Sequence, residues 1–177
     1  MGLNHYRFRS VWTLDAPADT VHAVLERVEE YPLWWPQVRE VHRWDDGHTG
    51  TAVFRSLLPY DLRVTARATH RDPAARVLAI ALSGDLDGWA RWRTAPRDGG
   101  TTGGTRVLFE QEVEVRSPLL RRLALPGRPL FKANHTLMMR AGRRGLRRRL
   151  EGRHRGRSRT GGPADRSGRG PEGERFG

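Results

Sequence analysis

Between residues 38 and 116 the chain is cut into strand-length segments by links too short to carry a crossover, and this limits its fold more than any other feature. The segments lie near 38–45, 51–58, 60–71, 76–83, 88–95 and 105–116. Asp46-Gly47, Asp72-Pro73, Gly84-Asp85 and the loop Asp98-Gly99-Gly100-Thr101-Thr102-Gly103-Gly104 separate them. Parallel neighbours need a connection of about a dozen residues or more, so consecutive segments must pair antiparallel. In 60–71, Leu62, Val64, Ala66 and Ala68 alternate with Arg63, Thr65, Arg67 and Thr69. In 105–116, Val107, Phe109, Val113 and Val115 alternate with Glu110, Glu112 and Glu114. Both patterns describe a sheet with one apolar face. The 76–83 segment is apolar on both sides, and alternation does not orient it. In 88–95 either Trp92 faces inward with Gly88 and Ala90, or Trp89 does with Arg91; the small neighbours favour Trp92.

Residues 5–14 also alternate, which adds a strand. Asp15-Ala16-Pro17 then supplies a candidate cap and a first-turn proline for a helix whose stripe is Val21, Val24, Leu25 and Val28. Pro32 is expected to end it, in the aromatic corner Tyr31-Pro32-Leu33-Trp34-Trp35-Pro36. After a leucine- and arginine-rich approach from Pro118 to Pro129, a long helix is predicted over 130–150. Phe131, His135, Met138, Gly142 and Leu146 share one face, opposite Arg140, Arg143, Arg144, Arg147 and Arg148. Only this helix is long enough to cover the apolar face of the sheet. If the sheet curls without closing on it, a cavity remains between them.

A length of 177 residues suits one domain, here 1–150. Residues 151–177 hold eight glycines, seven arginines and one large apolar residue, Phe176, and are expected to be a disordered tail. The net charge of +12 is uneven: residues 1–139 carry a net of +3 and residues 140–177 a net of +9. The basic excess therefore belongs to the C-terminal end of the chain. The absence of cysteine excludes disulfides and thiolate sites. No apolar run approaches the ~20 residues of a membrane span, and residues 1–8 have neither a signal-peptide core nor, with Tyr6 at the Ser/Thr position, a myristoylation motif. A cytoplasmic location is expected. Asp45-Asp46 with His48 reads as a turn rather than a metal site. Nucleophile elbow, phosphate loop and dinucleotide fingerprint are all missing from the sequence, and no cofactor is implied.

Three stretches resemble the START-like superfamily, in particular its bacterial polyketide cyclase/dehydrase and lipid-transport branch. They are Ala16-Pro17-Ala18-Asp19-Thr20-Val21 running on to Tyr31-Pro32-Leu33-Trp34-Trp35-Pro36, then Ser83-Gly84-Asp85-Leu86-Asp87-Gly88 with Trp92, and Phe131-Lys132-Ala133-Asn134-His135 through Met138, Gly142 and Leu146. The resemblance spans residues 5–150. It implies an α+β helix-grip fold, a curved antiparallel sheet of about seven strands around the C-terminal helix, with an apolar ligand cavity between.

The candidate ligand-binding residues are Trp34, Trp35, Tyr60, Trp92, Gln111, Phe131, Asn134, His135, Met138 and Gly142. His135, on an apolar helix face, is either a core histidine satisfied by a hydrogen bond or a polar anchor for a ligand; a third reading, a general base, lacks a partner carboxylate assignable from the sequence. Gln111 is expected to pair with a neighbour such as His135 or with bound ligand and water, structural pairing being favoured. Trp34 or Trp35 is a candidate for a half-wet cavity rim. Gly142 and Gly145 each cost about 1 kcal/mol in a helix relative to alanine, which points either to close packing or to space kept for a ligand. The leading expectation is a carrier of a lipid-like or polycyclic, polyketide-type molecule. One rival is an aromatase/cyclase acting on a poly-β-ketone; another is an interaction protein using the basic helix face and tail. Nucleic acid is not an expected partner, since aromatic interleaving is missing there. A weak contact with acidic membranes through Arg140, Arg144, Arg147 and Arg148 is open.

Overall fold

The strand-length segments pair in chain order, as their short links require. In the computed structural model the described residues are 4–44, 46–55, 61–97, 103–116 and 124–160, with side chains in the last segment described for 129–152. β1 (His5–Leu14) leads into α1 (Ala18–Glu26), a 3-10 turn (Val28–Glu30) and a short α2 (Tyr31–Trp34). The strands β2 (Val38–Arg43), β3 (Thr49–Arg55), β4 (Asp61–Asp72), β5 (Val77–Gly84), β6 (Leu86–Pro96) and β7 (Thr105–Val115) follow, and α3 (Ala124–Thr160) comes last. The seven strands make one sheet in the order β1-β7-β6-β5-β4-β3-β2. β2 to β7 form an antiparallel meander, and β1 closes onto β7 with His5 opposite Glu114 and Leu14 opposite Thr105.

The inward sets read from β4 and β7 face the core, and Trp92 is the inward tryptophan of β6 at 9% exposure against 39% for Trp89. The stripe of α1 is completely buried at Val21, Val24 and Leu25, beside Leu14, Val107, Val115 and Leu146. Each such side chain contributes about 1.5–3 kcal/mol by leaving water. Thr105 is buried with them, and its hydroxyl donates to the Ala16 carbonyl, tying the start of β7 to the entry of α1.

Several boundaries differ from the expectation. Asp15 does not cap α1: Pro17 precedes the first helical residue, no side chain caps it, and Asp15 instead faces Arg97 at 3.3 Å. Arg27, at φ −85° and ψ 72°, takes the chain out of the helix before Pro32 is reached. Pro32 then opens α2, where a first-turn position loses no hydrogen bond. α3 exceeds the expected 130–150 at both ends. Pro126 falls in its first turn, where it is tolerated, and Pro129 removes a single i→i−4 bond. At the other end Arg147 pairs with Glu151 at 3.1 Å in the favourable i,i+4 spacing, and the helix runs on past the expected 150/151 boundary. Residues 161–177 of the expected tail lie outside the described residues, as do Asp45 and Tyr60. Asp46 closes its turn by accepting from the His48 and Thr49 amides at 2.9 and 2.7 Å.

Candidate functional site

The concave side of the sheet is divided in two, and aromatic rings fill one half. From α2 a chain of contacts runs Tyr31–Trp35 (centroids 5.7 Å apart), Trp35–Trp92 (6.2 Å), Trp92–Phe109 (4.5 Å) and Phe109–His135 (5.9 Å). His135 stacks on Phe8 at 3.9 Å, Phe8 on Tyr6 at 6.0 Å, and Tyr6 meets Phe131 at 5.3 Å. Trp12 joins the chain through Trp35 and Trp92. This spine occupies the space between α3 and strands β1, β7 and β6.

The corner tryptophans are core residues, not a cavity rim: Trp34 is 6% and Trp35 4% exposed. Their chain segment is pressed against α3, and the glycines allow it. A Cβ at Gly142 would lie 2.6 Å from Trp35 Cε2, and one at Gly145 would overlap the Trp34 carbonyl. Trp35 Nε1 donates to the Met138 carbonyl at 3.0 Å. Of the two explanations for the helical glycines, close packing is the one this geometry supports, and the contact is with the aromatic corner rather than with the sheet. On the helix face the deeply buried methionine is Met139, with Leu146 and Leu150 in line; Met138 is half-buried.

His135 is 8% exposed and its Nε2 has no hydrogen-bond partner among the described residues. A buried polar atom left in that state costs about 1–3 kcal/mol. Burial holds its imidazole at about pKa 4, so the ring is neutral at pH 7. The expected pairing of Gln111 with His135 is not made, and Gln111, opposite Phe8 and Ala90 in the sheet, is half-buried. The rings of Phe8 and Phe109 cover faces of the imidazole and leave its in-plane nitrogens to be met from the ring edge.

The other half of the concave face is open. Beneath α1, the 3-10 turn and α2, strands β2 to β6 enclose a cavity of about 170 Å³. Its wall is hydrocarbon: Val41, Phe54, Val64, Ile80, Leu82 and Trp92, with Leu25 and Val28 from the helical side. The space exists because small residues sit opposite one another or opposite modest ones. Ala52 faces Val64 across β3 and β4, Ala66 faces Leu82, and Ala68 faces Ile80 across β4 and β5. The charged and histidine residues of the lining are at the solvent side: His42, Arg43, His48, His70 and Arg71 are exposed and Glu26 is half-buried. The Tyr31 hydroxyl reaches the cavity but is committed to the Leu25 carbonyl at 2.7 Å, and burial pushes its pKa up.

Of the ten candidate binding residues, the structure places Trp92 on the cavity wall. Trp34, Trp35 and Phe131 belong to the packed spine, Gly142 to the α2–α3 contact, and Met138 and Asn134 are half-buried on α3 away from the cavity. His135 lines a separate groove on the far side of the spine. Tyr60 is outside the described residues. Missed were the β3 and β5 positions, although the alanines on the inward face of β4 signalled them: a core strand that places Ala66 and Ala68 where large side chains would fill space leaves a void.

Residues 5–151 match the family described as polyketide cyclase / dehydrase and lipid transport. The chain belongs to this family. The polyketide cyclase/dehydrase and lipid-transport assignment agrees with the resemblance in the three sequence stretches. No curated protein matches the chain in sequence. Among solved structures, the Zhui aromatase/cyclase from Streptomyces sp. R1128 is similar with a TM-score of 0.72 at 20% identity, over 90% of this chain and 99% of that one. A START superfamily protein from Mycobacterium smegmatis is similar with a TM-score of 0.63 at 19% identity, over 82% and 97%. The di-domain ARO/CYC BexL from the BE-7585A biosynthetic pathway gives 0.62 at 14% identity, over 85% of this chain and 51% of that one. At these identities the likeness is one of fold, and the helix-grip architecture is shared. No helix among the described residues is long and apolar enough to cross a membrane.

Proposed function

We propose that this member of the polyketide cyclase/dehydrase and lipid-transport family binds a hydrophobic small molecule, lipid-like or of aromatic polyketide type, in the cavity beneath α1 and α2. The hydrocarbon wall of that cavity carries the reading. Apolar pockets with a few polar groups at fixed places are the usual form of a small-molecule site. A dry cavity of about 150 Å³ is enough to hold benzene. The space of about 170 Å³ thus accepts one ring or a chain end, and the rest of a longer ligand leaves through the polar mouth. The absence of cysteine fits a reducing compartment, and we place the protein in the cytoplasm on that ground.

A second reading, cyclisation of a poly-β-ketone, is favoured by the likeness to two aromatase/cyclases. Chemistry of that kind needs a polar group at the reacting carbonyl. The one buried titratable group among the described lining residues, Tyr31, has its hydroxyl committed to the Leu25 carbonyl, and the charged lining residues are exposed or half-buried, which favours binding over catalysis. Titration with the uncharged fluorophore N-phenyl-1-naphthylamine tests the binding reading. Saturable fluorescence that Ala66→Trp abolishes, in a variant that still unfolds cooperatively, supports it. Absence of probe binding, or binding indifferent to Ala66→Trp, overturns it.

A further inference from the structure

On the far side of the aromatic spine, β1 is an edge strand and α3 lies along it. The groove between them has a volume of about 570 Å³ and differs in kind from the cavity. Arg7 and Arg9 of β1 and Lys132, Arg140 and Arg143 of α3 line it, and no carboxylate does. Arg7 is engaged by Glu112 at 3.0 Å. Arg9, Lys132, Arg140 and Arg143 have no carboxylate within 4.0 Å among the described residues. His135 also lines the groove, with its Nε2 buried and without a partner among the described residues.

We propose that the groove between β1 and α3 is a second binding site, one that takes the phosphate group of a ligand. Cations on a protein surface are ordinarily interleaved with carboxylates; here Arg7 is held by Glu112 and Arg9 stands opposite Glu110, but Lys132, Arg140 and Arg143 on α3 add charge that no nearby carboxylate offsets among the described residues, and that excess selects for an anion. A tetrahedral dianion presents oxygens to donors from both walls at once, which a planar carboxylate does less completely. His135 stands at the groove floor, and a small shift of its ring would turn Nε2–H, in that tautomer, toward a phosphate oxygen and give the atom a partner that the described residues do not supply. The neutral state of the ring is suited to this, because its held proton is a donor without adding a desolvated charge. The site is separate from the cavity and does not depend on what the cavity holds.

The test is a titration of the full chain with inorganic phosphate at pH 7 and about 0.15 M salt, where long-range attraction is screened within about 8 Å. Imidazole ¹⁵N shifts are read by nuclear magnetic resonance. A saturable shift at His135 is expected, weakened about tenfold when Arg140→Gln and Arg143→Gln are combined. The equal charge change Arg144→Gln with Arg148→Gln, on the solvent face, should leave it unaltered. His135→Phe preserves a ring against Phe8 and should weaken phosphate binding, measured by calorimetry; if that variant does not fold, the two arginine pairs still decide. A second arm uses phosphatidylcholine vesicles with and without phosphatidic acid. Binding to the acidic vesicles that the Arg140/Arg143 pair abolishes identifies a lipid headgroup as the source, and response to phosphate alone identifies a free phosphorylated molecule. No shift at His135, or equal weakening by both arginine pairs, overturns the proposal.

Discussion

Trp35 and Gly142 share one volume: the indole lies where a side chain at position 142 would begin, 2.6 Å from the Cβ position, while its Nε1 donates to the Met138 carbonyl one turn earlier. The helix is thereby fastened to the aromatic corner at a spacing only glycine permits. Gly142→Leu should lower stability by about 1–3 kcal/mol through overpacking. Gly145→Ala should be worse than Gly142→Ala, because the Trp34 carbonyl is backbone and cannot rotate aside. Gly152, with nothing within 4 Å of its Cβ position, is the control, and Gly152→Ala should gain up to about 1 kcal/mol. Urea unfolding of the four variants checks the order.

Acid should loosen the fold before the carboxylates titrate. His135 has its pKa lowered by burial from 6.5 to about 4, and His22 is lowered in the same direction, chiefly by burial. The unfolded chain therefore binds protons that the native state refuses. Stability is complete above about pH 6.5 and falls as pH drops toward 4, by about 3 kcal/mol for His135 alone. Thermal melts between pH 7 and 5 should show the decline, and His135→Phe should flatten it.

Filling the cavity should stabilise the protein while emptying it of ligand. Ala66→Leu extends into apolar space opposite Leu82 and should gain about 0.5–2 kcal/mol. The same change should displace an uncharged fluorophore, and Trp92→Phe should reduce energy transfer to it without abolishing binding. Calorimetric melts and probe titrations on the two variants distinguish filling from damage.

The hydroxyl of Thr105 supplies the buried Ala16 carbonyl with a donor. Thr105→Val keeps the shape and removes the donor, so it should cost about 1–3 kcal/mol. Thr105→Ser should retain most of the stability, as chemical denaturation will show.

The sheet was readable because alternation and short links act locally: Leu62 and Val64, or Val107 and Phe109, declare their face without reference to anything distant. The helix face was readable for Phe131, His135 and Leu146 by the same periodicity. Whether that face met space or matter was not, because the answer lies in residues a hundred positions away. Gly142 and Gly145 signalled an exception to helical preference, but only the position of Trp34 and Trp35 shows that a ring and a carbonyl fill the gap. The cavity beneath α1 and α2 was not legible for a related reason. Polar residues on an apolar helix point to α3, whereas the void is written in the alanines Ala52, Ala66 and Ala68, whose cross-strand neighbours depend on register.

The docking of β1 on β7 has a consequence during synthesis. β1 emerges before the rest of the sheet, yet its hydrogen-bonding partner begins only at Thr105. At about 5–20 residues per second of translation, that leaves it unpaired for roughly 5–20 s. Through this interval Tyr6, Phe8, Trp12 and Leu14 have neither ladder nor helix to cover them, and the nascent chain is open to chaperones and to its neighbours on the polysome. Crowded expression should thus strand this protein as aggregates of its first segment, and slowing initiation should recover more of it than any change within the finished fold.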